Sequence, residues 1–303
     1  MKKMKVPVGK IFKILKKALK GWWAKDPFRE SAVIAYYAIF ALPGLLVVIL
    51  TTAGYFFGND AVNNLISAQF TSTMGSDTAL QVQNIIAQAG KAKNSLLATI
   101  IGVFVMFVGA TGVFAQFQKS LNIIWEVKID ESKNGILSFL RIRLFSFGLI
   151  ITIAFLLIVS LVISALLSAF GNWLSGHFSE TFFVALQVVN FVLSFIILTV
   201  LFALMFKFLP DAKIKWKHVW IGSIFTAFLF GIGKFGLGLY FGKLNPEIGY
   251  GAAGSIILIM LWVSYSSMIV FFGAEFTRAY ADFISGRVAP TEIAKSDNQV
   301  KPK

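Results

Sequence analysis

From Tyr250 to Ala281 the chain reads YGAAGSIILIMLWVSYSSMIVFFGAEFTRAYA, and no charged residue interrupts it before Glu275. A run of that length matches the hydrocarbon core of a bilayer, which takes about 20 apolar helical residues. Inside lipid no water is available to backbone N–H and C=O groups, so a single crossing segment must be a helix that satisfies its own. The run is therefore read as a membrane span, with Glu275 and Arg278 one helical turn apart near its end.

The pattern recurs along the chain. Apolar runs at about 31–57, 95–117, 144–170, 181–208, 219–242 and 253–277 predict an all-α, polytopic integral membrane protein with six transmembrane helices. Around the membrane domain, 31–283, lie a basic arm, 1–30, and a polar tail, 284–303, read as flexible and cytoplasmic. Charged residues make up only 14% of the chain, against the usual quarter, so a soluble domain is excluded. The absence of cysteine rules out disulfides, thiolate nucleophiles and Cys-based metal sites. The start of the chain is too basic, and too long before its first apolar run, for a cleaved signal peptide.

A net charge of +14 would point to nucleic acid in a soluble protein. Here the charge follows topology instead. The arm, the 118–143 and 207–217 loops and the end from Arg278 onward hold 24 Lys and Arg, against 4 on the other side. By the positive-inside rule both termini are cytoplasmic. Within the arm, Ile11, Leu15, Leu19 and Trp22 repeat at helical spacing, with Lys10, Lys13, Lys16, Lys17 and Lys20 on the other faces. Such a helix lies on a membrane surface and meets anionic headgroups. Membrane lipids are thus the expected partners, and nucleic acid is not.

The loop 58–94 reads as a small extracytoplasmic hairpin of two short amphipathic helices. Val62, Leu65 and Ile66 form the apolar face of one, Leu80, Ile85 and Ile86 that of the other, and Met74–Asp77 the turn between them. Pro43 sits within the first span and removes a backbone donor, which predicts a broken helix of the kind found at transporter binding sites. Gly102, Gly109 and Gly112 in the second span permit close helix approach. In the fifth, so do Ser223/Ala227/Gly231 and Gly238/Gly242, at four-residue spacing.

Ionisable groups at membrane depth are expensive and are functional suspects by default. Lys234 lies about 22 Å into the fifth span at the standard helical rise. It either snorkels to phosphate headgroups or faces a cavity holding an anionic substrate. Tyr36, Tyr37, Pro43, Lys234, Trp262, Ser264 and Ser267 are the candidate cavity residues. Gln116, Lys119 and Asn122 recur every three residues, and with Glu275 and Arg278 they are the candidate cytoplasmic gate. The only histidines, His177 and His218, fall on opposite sides of the membrane. No paired-carboxylate, metal-ligand or phosphate-loop motif appears, so no catalytic, metal or cofactor site is assigned and an enzyme is not expected.

SAVIAYYAIFALPGLL in the first span, FQKSLNIIW after the second, FKFLPDAKIKWKHVWIGSIFTAFLFGIGKFGLGLY and the final GAEFTRAYA carry a resemblance. Over about residues 25–285 the chain resembles the YihY/BrkB family of bacterial inner-membrane proteins, once labelled ribonuclease BN. The family usually has Ser where this chain has Ala41, and Pro43 stands about one position early, so a role for that Ser does not transfer. The resemblance implies a six-helix fold in the bacterial cytoplasmic membrane and no settled activity. Its links to envelope lipids and serum resistance imply a transport or envelope role.

Two function classes follow. One is a transporter or translocator of a lipid-like or anionic amphiphile; the other is an envelope scaffold that moves nothing and recruits partners through its arm and cap. An RNA-processing nuclease ranks last, because no suitable cluster of acids and histidines exists. Substrate, energy source and oligomeric state, a homo-oligomer included, stay open.

Overall fold

The computed structural model describes residues 8–74, 79–80, 82–84, 87, 96–129, 180–244, 254–292 and 294–297. The expected third span, 144–170, lies outside them, as do His177, Ile85, Ile86 and the turn beyond Met74. The described helices are α1 (Val8–Ala24), α2 (Pro27–Phe57), α3 (Asn59–Met74), α4 (Leu96–Trp125), α5 (Glu180–Phe208), α6 (Trp216–Leu244) and α7 (Gly254–Ser285). Two short strands, β1 (Val127–Ile129) and β2 (Ala294–Ser296), complete the order.

Segments of α5, α6 and α7, at 191–208, 216–241 and 256–285, are long and apolar enough to cross a membrane. The helices α2 and α4, of 31 and 30 residues, are of similar length. The separation of α1 from α2 is local chemistry. Asp26 adopts a left-handed conformation (φ 51°) that α1 cannot continue through, and Pro27 opens α2 at a position where its missing N–H is harmless.

The expected break in the first span does not form. α2 runs unbroken past Pro43, which faces outward and is exposed. One proline removes one donor, and a membrane helix absorbs that loss without unwinding. The helix ends instead at Gly58, whose φ of 86° suits glycine and whose N–H reaches the Gly54 carbonyl.

Lipid tails are as apolar as leucine, so helices in a membrane associate through close packing of small residues. Gly109 of α4 lies against the α2 backbone at Phe40 and Ala41, and Gly112 receives the Tyr37 ring. α6 and α7 share a reciprocal joint. Gly222 of α6 faces Thr277 of α7, and Gly273 of α7 faces Thr226 of α6. Each threonine spends its hydroxyl within its own helix: Thr226 Oγ1 donates to the Gly222 carbonyl and Thr277 Oγ1 to the Gly273 carbonyl, both at 2.7 Å. Each helix therefore carries a Gly-x-x-x-Thr whose threonine fills the other's glycine notch without leaving a buried hydroxyl unpaired. The outer half of the expected glycine stripe behaves differently: Gly231 and Gly238 have nothing within contact distance.

The hairpin cap is partly as expected. Val62 and Ile66 of α3 bury against Leu46 and Val82, but Leu80 is exposed and Ala79 turns inward in its place. At this end Phe70 also joins Phe241, Leu258 and Ile259. At the opposite end the expected flexible tail is ordered as far as Asp297. Gly286 (φ 76°) closes α7, and the chain then runs beside the α5–α6 connection, where the Lys213 N–H donates to the Ala289 carbonyl and the Thr291 N–H to Asp211. β2 then pairs antiparallel with β1, Val127 opposite Ser296. Composition marks this segment as polar, but unpaired backbone groups at the end of α4 supply it with a partner.

Gly222→Ala and Gly273→Ala should each destabilise the protein by about 1–3 kcal/mol through overpacking. Gly236→Ala, which meets open space, should be neutral or stabilising by up to about 1 kcal/mol through helix propensity. Thermal unfolding of the three variants in detergent separates these outcomes.

Candidate functional site

The end of the bundle that carries the tail also gathers the charge. Glu275, on α7, is buried, and Gly21 of α1 rests directly against its carboxylate, where any Cβ would clash. A buried carboxylate needs a cation or several donors. Lys25, in the α1–α2 turn, supplies one: Nζ lies 2.6 Å from Glu275 Oε2, and both side chains are under a tenth exposed. The same ammonium donates to the Ile124 carbonyl at 3.2 Å, one of the last carbonyls of α4 and so without a helical partner.

Arg278 extends the network. It pairs with Glu275 at 3.4 Å across one turn, with Asp282 at 3.9 Å, and with Glu126 at the end of α4. Glu126 also takes Arg287 of the tail at 2.6 Å. Glu126 holds a left-handed conformation (φ 52°), the turn that ends α4 and aims the chain into β1. Four segments thus meet in one ionic cluster, and Lys17 of α1 adds a peripheral bond to Asp282.

Beside it are two carboxylates handled differently. Glu30 of α2 accepts at Oε2 from Gln116 Nε2 and Ser120 Oγ, both at 2.7 Å, with Arg29 at 3.2 Å on the other oxygen. Asp211, in the α5–α6 connection, accepts at Oδ2 from Asn122 Nδ2 (2.7 Å) and Gln118 Nε2 (3.2 Å), while its own N–H donates to Asn122 Oδ1 at 2.8 Å. The C-terminal half of α4 therefore presents two clamps, Gln116/Ser120 and Gln118/Asn122, each of residues four apart. The every-third grouping expected from sequence is corrected by this geometry: Gln116 and Asn122 are buried against different acids, and Lys119 is exposed. A small recess, with room for about one water at ≈ 10 Å³, opens among Trp22, Lys25, Glu30, Ser120 and Phe271.

Electrostatics follow from burial. Burial pushes the Lys25 ammonium down from the ordinary lysine value, and Arg278 adds to that, while Glu275 pulls the other way without cancelling it. Asp211 is pushed up by burial; hydrogen bonds from Asn122 and Gln118 only partly offset this, and among the described residues no cation pairs with it. Glu126 is also pushed up by burial, but the Arg287 hydrogen bond and the Arg278 charge outweigh that and hold it below the ordinary value.

The expected cavity residues are not brought together. Tyr36 is exposed and stacks edge-on with Tyr37 and Phe40. Trp262 packs edge-on to Phe230 near the cap end. Ser264 bonds Ser31 at 3.1 Å, joining α7 to α2, and Ser267 is buried. Lys234 points outward, exposed, away from the recess. Sequence reasoning named Glu275 and Arg278 but not Lys25, Glu30, Ser120, Glu126 or Asp211. Among the described residues no group of three or more His, Asp or Glu could hold a metal ion.

The family model for "Virulence factor BrkB" matches residues 18–296. A UPF0761 membrane protein of Saccharophagus degradans is 28% identical over 84% of this chain and 56% of its own length. One from Vibrio vulnificus is 24% identical over 89% of this chain and 82% of its own. One from Stenotrophomonas maltophilia is 24% identical over 88% and 59%. The chain thus spans little more than half of the first and third of these relatives. No solved structure matches.

Glu275→Gln should leave Lys25 buried beside an uncharged partner and lower stability by about 3–5 kcal/mol, read as a fall in Tm in detergent. The double variant Lys25→Met/Glu275→Leu should recover most of it, because neither charge is then left alone. Glu126 predicts a pH dependence. Its folded pKa lies below the unfolded one, so its stabilisation is present above the ordinary carboxylate value and is lost as pH falls through the folded value. Glu126→Gln should lower Tm at neutral pH and flatten the dependence of Tm on pH between about 5 and 3.

Proposed function

This chain belongs to the BrkB virulence-factor family, is a membrane protein as its relatives are named, and from that premise we propose that it translocates a lipid-like or anionic amphiphilic substrate. In this reading it sits in the bacterial cytoplasmic membrane with six crossings and both termini inside. It is a carrier rather than an enzyme. The proposed inner gate is the ionic cluster of Lys25, Glu275, Arg278 and Glu126, with Glu30 and Ser120 at the recess beside it.

One observation carries the proposal: a buried Lys25–Glu275 pair joins the α1–α2 turn to α7 and, through the Ile124 carbonyl, to the end of α4. Replacing such a pair by apolar residues is often neutral or stabilising, so its presence is poorly explained by stability alone. Charge pairs that bridge separate helices can exchange partners when the helices move, and Arg278 already stands between Glu275 and Glu126 as an alternative partner. The recess supports the same reading, since it joins apolar walls to an ammonium and a carboxylate, the two characters an amphiphile presents. The earlier expectation of a cavity around Lys234 is set aside in favour of this end.

Reconstitution into liposomes with fluorescent phospholipids tests the proposal. Wild type should move lipid between leaflets faster than empty vesicles, and Lys25→Met/Glu275→Leu, which removes the gate charges together, should change that rate at least about tenfold. No movement above empty vesicles for any phospholipid head group tried would overturn it.

A further inference from the structure

Helix α1 carries more apolar surface than its contact with the bundle uses. Its inner strip, Ile14 and Ala18, is buried against Phe276 and Ala279 of α7, continued by Gly21 on Glu275 and by Trp22, whose indole donates to the Met268 carbonyl at 3.1 Å. The neighbouring strip is exposed although it is equally apolar: Phe12 is 70%, Leu19 53% and Trp23 66% exposed. Beyond it lies a third strip, Lys13, Lys16 and Lys20, also exposed and without an acidic partner among the described residues. The face expected from sequence, Ile11, Leu15, Leu19 and Trp22, is thus divided between protein and surroundings.

Three large apolar side chains in a row have no partner in water, and three lysines in the next row have none in lipid. Both are satisfied at once only at a bilayer surface, with the aromatic strip among acyl chain ends and the ammonium groups among phosphates. The level is right. Phe208, Trp216 and Trp220 of the α5–α6 corner are exposed aromatics at the same end of the bundle, where a membrane protein carries its interfacial belt. The charge selects the lipid, because each lysine near an anionic surface adds attraction that a zwitterionic surface does not offer.

We propose that the outer face of α1 is a binding surface for anionic phospholipid headgroups, and that lipid held there keeps α1 seated over Glu275. The second half rests on the gate reading; the first does not. Gly21 makes the coupling direct, because the helix cannot lift from the membrane side without uncovering the carboxylate that Lys25 neutralises.

The chain has no cysteine, so Leu19→Cys offers a single labelling position. The full-length protein, carrying an environment-sensitive NBD group there, is placed in nanodiscs of phosphatidylcholine alone or with phosphatidylglycerol. Acrylamide, a neutral quencher, reports exposure. Phosphatidylglycerol should shift the emission to the blue and reduce quenching at least about twofold. Lys13→Gln/Lys16→Gln/Lys20→Gln should remove that difference, and the corresponding Arg triple should keep it. Equal, strong quenching in both lipids would overturn the proposal and leave a face for solvent or a soluble partner. Protection that ignores phosphatidylglycerol would overturn the anionic selectivity. Because no substrate is followed, these outcomes are independent of whether the protein translocates lipid.

Discussion

A carboxylate buried on α7 sets the terms for the end of the bundle where the charges gather. Glu275 is buried within the protein, and an isolated charge in that position would be too costly to keep. Its neutralisation requires Lys25, and Lys25 can reach it only because α1 ends one residue earlier and turns through Asp26 into α2. The close approach of α1 requires Gly21. The remaining lone pairs require Arg278, which in turn needs the Glu126 turn at the end of α4. The geometry of four segments is thus tied to one ionised group, and the tail joins through Arg287.

Away from that cluster the protein holds together by fit. The α6–α7 joint is economical in a lipid setting because its two threonines both fill notches and satisfy themselves. Neither threonine hydroxyl is left to compete with the partner helix, and the backbones come close. The same logic places Gly109 and Gly112 of α4 on α2. Gly231, Gly236 and Gly238 of α6, by contrast, have no neighbour against them.

Four acids at this end are stabilised by two different means. Glu275 and Glu126 are held by cations, whereas Glu30 and Asp211 rely mainly on amides and hydroxyls of α4. At Asp211 the hydrogen bonds from Asn122 and Gln118 do not offset the burial that pushes its carboxyl upward.

Much of the architecture was legible in the residues. Long apolar runs located the starts of α2 and α4–α7 to within a few positions, because spanning length and self-satisfied hydrogen bonding leave no other solution, whereas α4 and α7 continue eight residues past the expected ends. Glu275 and Arg278 were legible as charges at a span's end. Three readings needed correcting, and each depended on neighbours in space. Pro43 signalled a break, but only the full helix shows that one missing donor is absorbed. Gln116, Lys119 and Asn122 looked like one face, yet the acids they meet come from α2 and the α5–α6 connection, which sequence spacing on α4 cannot reveal. The tail looked unstructured by composition, and it became a strand because β1 offers an edge. By itself the sequence determined how many long apolar segments the chain must hide and where its charges end them, since that follows from local hydrophobicity and backbone chemistry. Only tertiary structure decided which charge neutralises which, because Lys25 and Glu275 are 250 residues apart and no local rule brings them together.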